Sequence, residues 1–307
     1  MAIEFTRFDH IAMGVEDVDR QAEIFEGVFG FRRTATWEDD RERGIRFAFG
    51  DEAIGWEVVH PAGDDSPLRA FLDGPRGPGV HHVAIEVADL DATRKALQAL
   101  GIRPSSASTD EQLIVSADGA GEGVQFRFVA AGAPSTTQAV EGDGNGGAKP
   151  SLGITALDHV CTAYPDRDGL AKHYGRMLGM RQVWRTPDGA WPDFGDCVLD
   201  IPGAPINWEV IQPVGEESFI QSFLDRRGPA VHHVAFEVAD FDAAKRACEY
   251  YELPTFDEHD DSTDGARWRD AFIHPRFTGG LLTQIFWEER PGVWERSDKV
   301  RPEGYAG

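Results

Sequence analysis

The chain of 307 residues carries 53 Asp and Glu against 30 Lys and Arg, a formal charge of -23, which excludes nucleic acid and anionic membranes as partners because both repel an acidic surface. With 41% hydrophobic residues the composition is that of an ordinary globular chain, long enough for two domains that each have a core of their own. Scattered Cys161, Cys197 and Cys248 exclude a disulfide framework and a thiolate zinc site, and the lack of a basic-then-apolar leader or of about 20 consecutive apolar residues predicts a cytoplasmic protein that does not span a bilayer.

In chain order, "FDHIAMGVEDVDRQAEIFEGVFGF" predicts an alternating strand, an acidic turn and a helix, with Asp17 and Asp19 at the helix start and Gly30 closing it. "GIRFAFG" and "IGWEVVHP" follow as strands. "GVHHVAIEVADLDA" opens a second strand–helix unit that ends at Gly101 in "LQALGI". A stretch rich in Gly, Ser and Thr, 133–153, predicts a flexible linker. The plan then repeats. "LDHVCTAYPDRDGLAKHYGRMLGM" closes at Gly179, "CVLDIPG" and "INWEVIQP" are strands, and "AVHHVAFEVADFDA" opens the last unit, ending near Leu253. Such self-similarity dictates architecture. It predicts an α+β fold of four βαβββ modules, roughly 5–62, 78–130, 155–214 and 229–288, grouped as domains 1–132 and 154–288 with an extended tail 289–307.

Side chains alternate faces along a strand, so one histidine of each "HH" pair is expected to face inward. Aligning "DHIA" and "DHV" with the two "HHVA" segments selects His10, His82, His159 and His233, and leaves His81 and His232 facing outward. Glu57 in "WEVVHP" and Glu209 in "WEVIQP" share a second equivalent position, where an acid amid apolar neighbours needs a partner or a metal. Trp56 and Trp208 beside them are expected to pack on the opposite face. The last strand offers Gln284 in "GGLLTQIFW", and Arg127 at the matching place in the first half. His159, Glu209, His233 and Gln284 suit a divalent Zn, Ni, Co, Fe or Mn ion. His10, Glu57 and His82 form a second set, but the Arg127 guanidinium cannot ligate and repels a cation. That set is a three-ligand metal site, an anion site, or a structural Glu57–Arg127 pair.

These segments resemble the vicinal oxygen chelate superfamily, in which paired βαβββ modules with curved sheets surround a metal. "SPLRAFLDGPRGPGVHHVAIEVAD", "SFIQSFLDRRGPAVHHVAFEVAD" and "HPRFTGGLLTQIF" are most similar to the methylmalonyl-CoA epimerase family. The resemblance implies metal ligation by His159, Glu209, His233 and Gln284, and by His10, Glu57 and His82. Two departures stand out. Gln284, and Arg127 in the first half, replace that family's last-strand catalytic glutamate, and the halves are in tandem. Tandem halves resemble extradiol ring-cleaving and hydroxyphenylpyruvate dioxygenases. A resemblance of "LLTQIFWEERPGVWE" to the latter nominates Glu295 as an iron ligand.

The chemistry implied is Lewis-acid chelation of a small oxygenated substrate and stabilisation of its enolate or enediolate. An epimerase, isomerase or lyase is the leading expectation. Glu209 is the candidate proton-transfer carboxylate, Gln284 stands at the family's catalytic position, and Glu42 in "ERGIRF" is a candidate on a facing strand of the other half. An Fe(II) or Mn(II) dioxygenase and a non-catalytic binding or resistance protein are the alternatives. The expected partner is a small-molecule substrate, and a homodimer is compatible with the tandem halves.

Overall fold

The computed structural model describes residues 3–4, 6–50, 54–131, 138–139, 149–263 and 265–291. The tail beyond 291, with Glu295, and most of the predicted linker lie outside them.

In the first half, β1 (Arg7–Gly14) leads into α1 (Val18–Ile24), which continues as a wider turn over Phe25–Phe29. β2 (Arg32–Glu38), β3 (Glu42–Ala48) and β4 (Gly55–Pro61) complete the module, and α2 (Pro67–Leu72) links it to the next. That module holds β5 (Gly79–Val87), α3 (Leu90–Ala99), β6 (Gln112–Val115) and β7 (Gln125–Ala130). β8 (Gln138–Ala139) pairs with β2.

The second half begins with β9 (Ile154–Ala163), α4 (Arg167–Leu178), β10 (Arg181–Arg185), β11 (Phe194–Asp200) and β12 (Asn207–Pro213). α5 (Phe219–Arg227) then leads to β13 (Ala230–Val238), α6 (Phe241–Tyr250), β14 (Thr255–Thr263), β15 (Ala266–Ile273) and β16 (Leu282–Glu288).

The two sheets run β6-β7-β5-β1-β4-β3-β2-β8 and β10-β11-β12-β9-β13-β16-β15-β14. Three modules follow the expected βαβββ plan. The second has two strands after its helix instead of three, because Arg103–Glu111 is Pro-, Ser- and Thr-rich and makes turns, with Ser105 bonding back to Ile114. The repeated acidic motifs are helix N-caps. Asp17, Asp89, Asp166 and Asp240 each accept main-chain N–H bonds from the first turn, whereas Asp19 lies inside it. Gly30 and Gly179 close α1 and α4 at φ 74 and 70°, a conformation costly for other residues.

The expectation of two separate cores is corrected. One apolar cluster runs through both halves. Phe236 of β13 packs its ring against Phe29, Phe31, Phe49 and Trp56 of the first half, and Phe126 of β7 packs against Tyr174 and Trp208 of the second. Trp56 and Trp208 are fully buried in this core, on the face away from their neighbouring glutamates, as strand alternation requires. Among the described residues no helix is long and apolar enough to cross a membrane.

Candidate metal centre

Each half brings its predicted residues onto four central strands. In the second half β12 lies parallel to β9, β9 antiparallel to β13, and β13 parallel to β16. The register puts His159 and Gln284 opposite Ala235, and Glu209 and His233 opposite Cys161. His159 Nε2 lies 3.1 Å from His233 Nε2 and 3.4 Å from Glu209 Oε2, and His233 Nε2 lies 3.3 Å from the same oxygen. Atoms about 2.1 Å from a shared ion lie roughly 3.0 to 3.4 Å apart, so the triangle has the size of a metal face.

The protonation pattern supports that fit. His159 Nδ1–H donates to Asp158 at 2.9 Å, which turns Nε2 inward as an acceptor. His233 Nδ1 is 2.9 Å from His232 Nδ1, a contact that orients the His233 ring. Glu209 Oε2 is buried and receives no hydrogen bond. Gln284 Nε2 donates to Asp270 at 2.6 Å, leaving its buried Oε1 without a partner. Buried polar atoms crowded this closely, with Glu209 Oε2 and Gln284 Oε1 lacking a partner, are costly, and a cation relieves the cost. The donor set of two imidazoles, a carboxylate and an amide oxygen therefore fits a divalent metal.

The first half repeats the triangle. His10 Nε2 is 3.3 Å from His82 Nε2 and 3.2 Å from Glu57 Oε2, and Asp9 holds His10 Nδ1 at 2.7 Å.

The sequence profile described as the Glyoxalase/Bleomycin resistance protein/Dioxygenase superfamily matches residues 9–115 and 158–272. The chain belongs to this superfamily. Among superfamily relatives, mitochondrial methylmalonyl-CoA epimerase from Homo sapiens is 29% identical over 131 residues, covering 42% of this chain and 72% of the relative. The ethylmalonyl-CoA/methylmalonyl-CoA epimerase of Cereibacter sphaeroides is 31% identical over 100 residues, 32% of this chain and 72% of the relative. A solved variant of 4-hydroxymandelate synthase from Streptomyces coelicolor covers 93% of both chains with a TM-score of 0.72 at 15% identity, and shares the tandem superfamily fold.

Within that frame several expectations change. His81 and His232 do not face outward. The register skips between Val231 and His233, and between Ala12–His82 and Met13–Val80, so each "HH" pair straddles a β-bulge. Two residues then oppose one, and both rings turn toward the same side. Asp9 and Asp158 sit at equivalent register shifts, which is how they reach the histidines that follow them. Glu42 stands on β3, in the same sheet as the first cluster, and feels the charges of Arg127 and Glu57, so it belongs with the first half's cluster and does not face the second from across the molecule. Burial raises its carboxyl pKa, with Arg127 opposing. Glu57 bonds Arg46, not Arg127, at 3.1 Å.

Asp196, Asp270, Asp158 and Arg46 escaped the sequence reading. The recurring "DH" dipeptide signals Asp158, whereas the other three meet the centre only through strand pairing. Burial, with the charge of Glu209 beside it, holds the Asp196 carboxyl well above the usual range. Burial also pushes Glu209 up, but His233, His159 and the Cys161 thiol outweigh it and bring the carboxyl down to about 2. Burial dominates for Asp270 too and raises it, against its bonds to Gln284 and His259. His233 is lowered by burial, partly offset by Glu209. For His159, burial is overcome by Asp158 and Glu209, and the ring is raised.

Rings flank the centre on both sides. Phe272 meets the His233 ring edge-on at 5.5 Å, and Phe256 lies 5.9 Å beyond it. On the other side Phe223 and Phe219 of α5 approach His232 at 4.9 and 6.2 Å, and Phe194 and Trp191 extend the wall.

The bulge histidines make acid stability predictable. Burial holds His81 and His232 neutral in the fold, pushing each down to about 3. In the unfolded chain they take up protons at about 6.5, so the folded state loses stability as pH falls from about 6.5 toward 3. The melting temperature of metal-free protein is expected to fall more steeply over that window in wild type than in a His81→Phe/His232→Phe variant. Equal slopes would contradict this account.

Proposed function

We propose that the chain is a metal-dependent enzyme of the epimerase, isomerase or lyase type, acting on a small oxygenated substrate through a chelated enolate or enediolate. His159, Glu209, His233 and Gln284 hold a divalent metal in the second half. The observation that carries this reading is the convergence of two imidazole nitrogens and a carboxylate oxygen at 3.1–3.4 Å from one another, with the buried Gln284 Oε1 beside them lacking a partner. The metal, when bound, supplies Lewis acidity to a pair of substrate oxygens.

The chain's own residues do the rest. Asp158 fixes the tautomer of His159, His232 orients the His233 ring, and Asp270 fixes the amide of Gln284. Asp270 is itself held by His259 Nδ1 at 2.9 Å, so that chain of contacts runs from the exposed edge strand to the centre. Glu209 is occupied as a ligand and stays ionised. Asp196 lies beside it with its carboxyl held well above the usual range by burial, and is the candidate proton donor. The flanking Phe272, with the exposed rings of Phe256 and Phe219 farther out, offers an apolar surface to the body of the substrate. The relatives' acyl-CoA epimerase names make a 1,3-dicarbonyl acid or its thioester the first substrate to assay.

A second reading rests on one feature. Two histidines and one carboxylate on a face are the donor set of Fe(II) oxygenases. An anaerobic assay separates the two. Proton exchange at the carbon next to the carbonyl, followed by NMR in D2O, is expected to need added Co, Ni, Zn or Mn and to proceed without oxygen. Turnover that stops when oxygen is removed would replace the enolate reading with the oxygenase one. Undiminished ligand binding by metal-free protein with no turnover would leave only a binding protein.

A further inference from the structure

The two halves carry the same triangle of ligands but differ around it in a correlated way. Arg46 stands opposite Glu57, where Val198 stands opposite Glu209. Gly55 lies beside His10, where Asn207 lies beside His159. Arg127 lies beside Ala84, where Gln284 lies beside Ala235. The first two changes fit one guanidinium, and the third brings another. A Cβ on Gly55 would meet Arg46 Nη2 at 2.6 Å, so the missing side chain is what admits it. Arg46 then donates to Glu57 Oε1 and Asp9 Oδ2, each at 3.1 Å. From the β7 side comes Arg127, its Nε buried without a partner, in the field of Glu42 and Glu57.

Arginine near the second cluster behaves differently. Arg167 is buried there but bonds the main-chain oxygens of Asp196 and Thr186 and the Asp188 carboxylate, and touches none of the four proposed ligands. The second half adds acid instead, since Asp196 occupies the register position of Gly44.

The geometry points to a first-half cluster in which the guanidiniums of Arg46 and Arg127 stand in for the cation, so that the chain binds metal in the second half alone. Replacing the two arginines by their second-half counterparts makes the first half a metal site. The first cluster as it stands does not fit a divalent ion. Arg46 already bonds both Asp9 and Glu57, Arg127 adds a second fixed positive charge in the field of Glu42 and Glu57, and in a partly buried site salt does little to screen their repulsion of a cation. This inference rests on the proposed second-half metal, and the experiment separates the two.

Full-length protein is stripped with chelator, loaded with Zn, dialysed and analysed for metal, with circular dichroism and a thermal melt as fold controls. Wild type is expected to retain about one Zn per chain, lost in His159→Ala. Arg46→Val/Arg127→Gln is expected to retain about two, the added one lost with His82→Ala, and to raise first-cluster affinity at least roughly a hundredfold. Two ions in wild type, one of them removed by His82→Ala, would overturn the inference. So would a folded double variant still holding about one. If wild type binds none, the second-half reading fails, and His82-dependent gain in the double variant still decides this one. Should the double variant not fold, Val198→Arg/Asn207→Gly gives the reciprocal answer. It leaves every proposed ligand in place and is expected to lose the second-half metal; wild-type Zn affinity in that folded variant overturns the inference.

Discussion

Glu209→Gln is expected to empty the second-half centre and abolish turnover. The substitution keeps the size of the side chain and removes the only ionised carboxylate among the proposed ligands. Disturbing a residue that merely positions a ligand costs roughly 10–100-fold in metal affinity, so loss of this ligand should cost at least about a hundredfold. Wild type should gain melting temperature on adding metal, because a ligand at about 100 times its Kd stabilises the fold by about 2.7 kcal/mol. The variant should show little or no gain. Its metal-free fold should persist, since the amide that replaces the carboxylate can donate hydrogen bonds to the inward imidazole nitrogens. A metal-dependent gain equal to that of wild type would remove Glu209 from the centre.

Phe236→Ala carries the second large effect, on stability. Phe236 is fully buried and touches four aromatic rings of the other half. Truncating such a ring leaves a cavity and costs about 3–5 kcal/mol. For a chain of this size that lowers the melting temperature by roughly 10 °C. Because the ring belongs to a core common to both halves, they should melt in one transition that shifts as a whole. Two separate transitions, with only one displaced, would show that the halves fold independently.

Much of the architecture was legible because it is local or periodic. The acid at each helix start works through bonds to the next turn, and the glycines at 30 and 179 close helices through their own backbone angles. The inward histidines and glutamates were legible because the repeat compares four strands at one position, where a single strand would be ambiguous. What failed was the assumption of unbroken alternation. His81 and His232 face the centre because bulges interrupt the ladder, and a bulge depends on the partner strand as much as on the bulged one. Arg46 was missed for a related reason. Nothing in "GIRFAFG" says that its arginine lies across from Glu57 in a notch left by Gly55.

The sequence by itself determined the tandem plan, the superfamily, the starts of the four repeated helices and the residue types that line each central strand, since these follow from short-range bonding and a repeat that can be aligned with itself. The sequence already favoured the second half for a cation, through Arg127 in the first; only the tertiary structure placed the partners around each cluster. They lie in pairings between distant segments: Gln284 with Asp270, Glu209 near Asp196, Glu57 with Arg46. Charge acts through space, and its sign at a point depends on every strand that converges there.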